Sequence, residues 1–312
     1  MKTWTLDVGS FFNAVGINKT GIVEMNKNTY DFDPNNLKDS WLYPVFLGFK
    51  ELKKQGLKVE SFATIGTGSG IDSIGVYELF KPKQIYQIDV HPNIIEVADK
   101  NAKALIGGGV KIETFLGDLC QPLIDRNIKV DLVYANIPNI PSKKSVFDKK
   151  IAASKFIDRD PEDCPEILQK WYLTLQYLFL KQAKQVLKPG GAVVNALGIR
   201  VPYEIAEQLY PATGYKATDL VNIYKIQSEP EDTLAGYSEQ EKKAGVEFDF
   251  YDHEKAWLFW QNELQQRKWT TPELKDALKP FRISATQALE AFETQNKQAG
   301  HLCSIFKSTL RT

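Results

Sequence analysis

The stretch that most constrains this chain is Gly66-Thr67-Gly68-Ser69-Gly70. It follows an apolar run at 59–65 that reads as a short strand, and it opens a helical pattern extending to about residue 80. Glycine at every second position lets a backbone turn where side chains would collide and leaves room for a ligand to lie close above it. The helix start beyond offers N–H groups that have no partner inside the helix. A second apolar run at 84–88 ends in Asp89, 23 residues after Gly66. A carboxylate at that strand tip can accept both hydroxyls of a ribose. Strand, turn, helix, strand and acid in this order describe a nucleoside-binding crevice. The plainer alternative is a tight turn followed by an acid that only leads into the next helix.

The alternation continues beyond this unit. Pro92 suits the first position of a helix over 92–105, which Gly107-Gly108-Gly109 ends. Strands are expected at 110–116 and 130–135 and, after Pro189-Gly190-Gly191, at 192–197. A long amphipathic helix is expected over 165–187. Crossovers long enough for helices predict a Rossmann-like α/β fold, with a mostly parallel seven-stranded sheet covered on both faces. The runs 215–227 and 246–251 alternate as strands do, with no obvious helix between them, and are expected to form an antiparallel pair. The division predicted is an N-terminal cap and helix at 1–55, a nucleoside-binding domain at 56–252 and a helical C-terminal extension at 253–312. Within the cap, Asp33-Pro34-Asn35-Asn36 marks a turn or a helix start and 41–54 a helix.

Composition narrows the classes. A chain of 312 residues with 43% hydrophobic residues can bury a large core. Its 39 basic residues balance 39 acidic ones, so nothing draws it generally to a polyanion, and no nucleic-acid partner is expected. Three scattered cysteines and three scattered histidines imply neither a disulfide framework nor a metal site. The beginning of the sequence does not read as a signal peptide, and no run of about 18 apolar residues exists, so a membrane span is not expected. A cytoplasmic location is expected.

A dinucleotide fingerprint, G-x-G-x-x-G, would need glycine at position 71, where this chain has Ile71. The run Phe62-Ala-Thr-Ile-Gly-Thr-Gly-Ser-Gly-Ile71 instead resembles motif I of class I S-adenosylmethionine (SAM)-dependent methyltransferases, with Thr64 where the family carries an acid. Ile88-Asp89-Val90-His91-Pro92 resembles the family's second motif and Leu116-Gly117-Asp118-Leu119 its third. Leu187-Lys188-Pro189-Gly190-Gly191 resembles the turn before its fifth strand. The resemblance spans roughly residues 60–197. It implies SAM as cofactor, with Gly66, Thr67, Gly68 and Gly70 making room for it. It also implies that Asp89 and Val90 lie at the ribose, and Asp118 and Leu119 at the adenine.

After the fourth strand, Asn136-Ile137-Pro138-Asn139 resembles the Asn-Pro-Pro-aromatic motif of N-methyltransferases such as the release-factor glutamine methyltransferases. Ile137 replaces the first proline and Asn139 the aromatic. The resemblance implies that Asn136, beside the cofactor, holds a polar acceptor in line with the departing sulfur, and it makes Asn139 a second candidate. The acceptor expected is a small molecule or a side chain, methylated on nitrogen, oxygen or sulfur. Aminopropyl transfer on the same fold, a dinucleotide oxidoreductase and a catalytically silent scaffold are the alternatives. Further candidates are Tyr43 as a wall of the cofactor site, His253 as a base, and His91 as the cap of the helix at Pro92. The loop 141–163, with Lys143, Lys144, Lys149, Lys150, Asp158, Arg159 and Asp160, reads as a lid or a solvated face.

Overall fold

The structure is a computed structural model that describes residues 3–29, 33–36, 40–140, 163–264 and 268–311. The charged loop residues from Lys143 to Asp160 lie outside the described residues.

Strands β1 (Thr3–Asp7) and β2 (Ile22–Asn26) pair antiparallel with the short helix α1 (Gly9–Ala14) between them. The turn expected at 33–36 forms, with Asn36 N donating to Asp33 O at 3.0 Å. Helix α2 (Leu42–Lys54) buries Val45, Phe46, Phe49 and Leu52, the stripe that helical spacing dictates.

The alternation read from the sequence then follows as β3 (Ser61–Ile65), α3 (Ile71–Phe80), β4 (Gln84–Asp89), α4 (Pro92–Leu105), β5 (Lys111–Leu116), α5 (Gln121–Asp125) and β6 (Val130–Ala135). Next come α6 (Glu166–Lys170), α7 (Thr174–Ala183), β7 (Leu187–Gly198), α8 (Tyr203–Thr213), β8 (Tyr215–Ile226) and α9 (Pro230–Ala244). The chain closes with β9 (Phe250–Asp252), α10 (His253–Phe259), α11 (Thr271–Leu278), β10 (Arg282–Ile283), α12 (Ala285–Gln295) and β11 (Ala299–Leu310).

The main sheet runs β5-β4-β3-β6-β7-β11-β8, parallel except for β11, which is antiparallel to both neighbours. A short β10–β9 ribbon adds to it where β9 pairs Ala299 and Gly300 of β11. Side chains alternate between the two faces. Phe62, Ile85, Leu132, Tyr134 and Val194 join the core under α2, α3 and α4, while Ala63, Tyr86, Val133, Ala135 and Val193 join the core under α7 and α8. Helix α2 packs onto α3 with the Phe46 ring over Gly75, where a Cβ would fall 1.8 Å from the ring.

Four expectations are corrected. The helix expected over 165–187 is two helices, because Tyr172 takes φ +56° between α6 and α7. Trp171 and Tyr172 at this break pack their rings on Phe248 at 5.1 and 6.0 Å. Residues 215–227 do not pair with 246–251; β8 pairs β11, and α9 lies between the two runs. The closing segment is not wholly helical, since β11 inserts between β7 and β8. Its apolar pattern is diluted by His301, Ser304 and Ser308, which are all fully buried. Finally, with the ribbon the sheet has nine strands rather than seven.

Asp131 ties three strands together at the amino end of β3. Its Oδ2 accepts from Glu60 N (3.0 Å), Ser61 N (2.8 Å), Ser61 Oγ (2.8 Å) and Lys188 Nζ (3.1 Å). Partial burial opposes its ionisation, but the bonds from Ser61 and Lys188 outweigh this and hold the carboxyl below its ordinary range. A depressed carboxylate stabilises the fold above its unfolded pKa and loses that contribution as pH falls through the folded value. Asp131→Asn should therefore lower the urea midpoint at pH 7, and the gap to wild type should close below about pH 4 in unfolding curves taken across pH.

Candidate active site

The chain reverses direction across the sheet between β3 and β6, the switch point at which α/β sheets open a crevice beyond their strand ends. A cleft of about 280 Å³ lies there. The glycine turn is hung on β4, because Gly66 N and Thr67 N both donate to Ile88 O, at 2.9 and 3.0 Å. Gly68 has φ +55°, and a Cβ on it would meet no atom within 4 Å, so the turn leaves open space above it. Gly70, with φ +81°, has a different task. A Cβ there would fall 2.9 Å from Gln87 Nε2 and 3.0 Å from Ala98 O, so this glycine lets α3 pack on β4 and α4, away from the cleft lining.

Asp89 is 7% exposed and lines the cleft. Its Oδ1 accepts from His91 N at 3.1 Å and its Oδ2 from Gly68 N at 3.4 Å. Burial raises its pKa, and these backbone N–H groups pull it back in part. Thr67, Val90, Asp118 and Leu119 also line the cleft. His91 occupies the N-cap position of α4 without a side-chain capping bond, and its ring lines the cleft instead.

Thr64, at the position where the resembling motif carries an acid, is fully buried, and its hydroxyl has no hydrogen-bond partner. A carboxyl enters the cleft from elsewhere. Asp72, in the first turn of α3, lines it while being 6% exposed, and its Oδ1 has no hydrogen-bond partner. Burial pushes this carboxyl up to about 7 against the opposing effect of the Tyr134 hydroxyl beside it. A buried acid with an unbonded oxygen, facing a cleft, is arranged to meet a positive group.

The loop after β6 is held by three bonds. Gln176 Nε2 donates to Ile137 O (2.9 Å), Asn139 Nδ2 to Gly198 O (2.9 Å) and Tyr237 Oη to Asn139 O (2.5 Å). Asn139, though it lines the cleft, has its amide engaged in the fold. Asn136 is half-buried and lines the cleft, and its side chain makes no hydrogen bond among the described residues. Tyr43 packs into the core beside α3, and its neighbours Trp41 and Leu42 form the wall expected of it. His253 lies away from the cleft lining, stacked on Tyr224 with Nδ1 3.2 Å from the Tyr224 hydroxyl.

Sequence reading missed Asp72 and a wall made by Gly198, Gln227, Ser228, Glu229 and Thr233. An acid two residues beyond the last glycine of the turn was a usable signal for Asp72. The wall had none, because it depends on where β7, β8 and α9 end.

No protein-family model matches the chain. Over 256 residues it is 22% identical to methionine S-methyltransferase of Zea mays, covering 74% of this chain and 23% of that one. Over 97 residues it is 39% identical to release factor glutamine methyltransferase of Dictyoglomus turgidum, covering 31% of this chain and 33% of that one. The chain thus spans a third or less of the length of these relatives. Among solved structures, ribosomal protein L11 methylase of Lactobacillus delbrueckii matches 58% of this chain and 72% of its own, with 18% identity and a TM-score of 0.39. Precorrin-6y C5,15-methyltransferase of Geobacter metallireducens matches 85% of each, with 10% identity and a TM-score of 0.40. Strand order, cleft and sequence relatives make this a class I fold of the SAM-dependent methyltransferase type. Within that class the sequence relatives fall into two groups, methionine S-methyltransferases and release factor glutamine methyltransferases.

The Asp72 carboxyl gives this site a signature in the free protein. Its folded pKa lies above its unfolded one, so its contribution to stability is full below about pH 4 and is lost as pH rises to about 7. Asp72→Asn should abolish that loss. At pH 8 the variant should exceed wild type by up to about 4 kcal/mol in urea unfolding, whereas equal pH profiles would show that Asp72 ionises freely.

Proposed function

We propose that the chain binds SAM and transfers its methyl group to a small acceptor, or to a side chain, held beside Asn136. The observation that carries this reading is the pairing of the open turn at Gly68 with the Asp89 carboxylate across from it. The residues present fit the cofactor. Asp89 and Val90 take the ribose, Asp118 and Leu119 the adenine, and Gly66, Thr67 and Gly68 leave the space between. Asp72 offers a carboxyl to the cationic methionine end and takes over from the acid missing at Thr64. When bound, SAM supplies a methyl group on a sulfonium that is already a good leaving group. What remains for the protein is to aim the acceptor and exclude water.

The loop supports a sulfur or an amine acceptor over a planar amide. Asn139 stands where the resembling motif has an aromatic, so no ring is there to stack on an amide plane. The carbonyls of Ile137 and Asn139 already accept from Gln176 and Tyr237. A thioether needs no proton removed and no planar wall, which accords with the broad match to methionine S-methyltransferase. The three cysteines are buried and form no disulfide, which fits a cytoplasmic setting.

Calorimetry should show SAM and S-adenosylhomocysteine binding. Asp89→Ala should cost at least tenfold in affinity for both, the equivalent of one or two hydrogen bonds to a charged group. Asn136→Ala should leave the Kd for SAM within about threefold while reducing turnover about a hundredfold in an extract assay with labelled SAM. A folded chain that binds neither SAM nor S-adenosylhomocysteine refutes the reading.

A further inference from the structure

Arg200 is the bulkiest of the fully buried side chains, at 0% exposure, just beyond the carboxyl end of β7. Its Nε and Nη2 both donate to Gln227 Oε1, at 3.0 and 2.7 Å, and its Nη1 is buried without a partner. The rings of Trp41, Tyr237 and Phe250 surround the guanidinium at 5.5 to 5.8 Å. Other basic groups gather here. His301 of β11 is fully buried with both ring nitrogens unbonded, its ring 5.4 Å from that of Trp41. Lys225 of β8 bonds Ile226 O and Ser228 Oγ, with its Nζ 4.9 Å from the Trp41 ring.

Among the described residues no carboxylate bonds Arg200. Asp249 donates its backbone N–H to Arg200 O, but its carboxylate is engaged by Lys275 and Arg282. Burying a guanidinium with no anion is costly, several kcal/mol even after relaxation. Burial also works against the charge on Arg200 itself. A fold that retains such a group has a use for it.

The cluster lies directly behind the cleft wall. Trp41, Gly198 and Gln227 touch the guanidinium, and all three line the cleft. A Cβ on Gly198 would fall 2.1 Å from Nη1, so glycine is what lets the guanidinium lie against that wall. Asn139 bonds Gly198 O, which places the cluster at the acceptor end beside the Asn136 loop. Gln227 Oε1, taking two N–H groups at once, occupies the place a carboxylate oxygen would take. Glu229 lines the same wall, which disfavours a polyanion.

We propose that Arg200, covered by Gln227, receives a carboxylate carried by the methyl acceptor, so that the acceptor is an amino acid or another small carboxylic acid. The proposal rests on the methyl-transfer reading and gives it a substrate class. The carboxylate could instead belong to the cofactor's own amino-acid tail, and the experiment separates the two sources.

The chain is first titrated with S-adenosylhomocysteine; no binding there refutes methyl transfer, and the carboxylate site falls with it. The loaded chain is then titrated with the twenty L-amino acids and their α-amides. The expected result is at least one acid that binds tenfold or more tighter than its amide. Arg200→Met should erase that preference. So should Gln227→Glu, which hands the guanidinium an internal acid and should also raise the Tm of the free protein. Because Gln227→Glu keeps the side chain's shape and loses only the bond from Gln227 Nε2 to Ser228 O, it tests the site even if Arg200→Met does not fold. Both variants should bind S-adenosylhomocysteine within twofold of wild type. The proposal is overturned by acids binding no better than amides, or by a preference that survives in Gln227→Glu. It is equally overturned if the variants weaken S-adenosylhomocysteine but spare 5′-methylthioadenosine, which lacks the tail.

Discussion

Two backbone amides sharing one carbonyl hold the site in place. Gly66 and Thr67 donate to Ile88 O, and this pair fixes the glycine turn against the end of β4. With the turn so placed, Asp89 meets Gly68 across the opening. The first turn of α3 then follows at a fixed angle and carries Asp72 to the cleft. Peptide groups at a strand end must find partners or face water. Here they find each other, and the carboxylate is positioned as a result. Side-chain chemistry in the cleft is thus built on a backbone geometry that favours glycine at positions 66 and 68.

The part of the cleft around the glycine turn was legible because it is local. The turn, Asp89 and Asp118 each follow a strand whose apolar run is easy to see, and each lines the cleft. Gly70 was read as a ligand neighbour and is a packing glycine, a distinction that depends on Gln87 and Ala98, neither of them close to it in sequence. The remaining wall and the basic cluster behind it were hardly legible. Arg200, Gln227 and His301 come from three different elements, and only the pairing of β11 with β7 and β8 brings them together. That pairing was missed because the face of β11 includes serines and a histidine, which obscure the alternation that marks a strand. Helix α9 was missed for a related reason, since most of its residues are polar and its apolar stripe is reduced to Leu234 and Tyr237.

Acidic groups, Asp72 and Asp89, line the cleft beside the glycine turn, and basic groups, Arg200 and His301, lie behind the wall that includes Gly198 and Gln227. Each set keeps a polar atom with no internal partner, Asp72 Oδ1 in the first and Arg200 Nη1 in the second. The low dielectric that makes such atoms costly in the free protein makes them effective when an opposite charge arrives. A ligand pair that is positive at one end and negative at the other would satisfy both. The neutral overall composition hides this separation, because it is a matter of placement rather than of number.

The position of β11 has a consequence for how the molecule assembles. This strand, drawn from residues 299–310, fills the gap between β7 and β8 in the interior of the sheet. During synthesis the parallel half can gather early around β3, β4 and β6, whose partners lie close along the chain. The strands from β7 onward must wait, with an unfilled slot and two open edges, until the last ladder is available. Such a slot can accept a strand from another molecule as readily as its own. The growing chain is therefore most exposed to mispairing in the interval between the emergence of β8 and that of β11, and in that interval a chaperone would have most to protect.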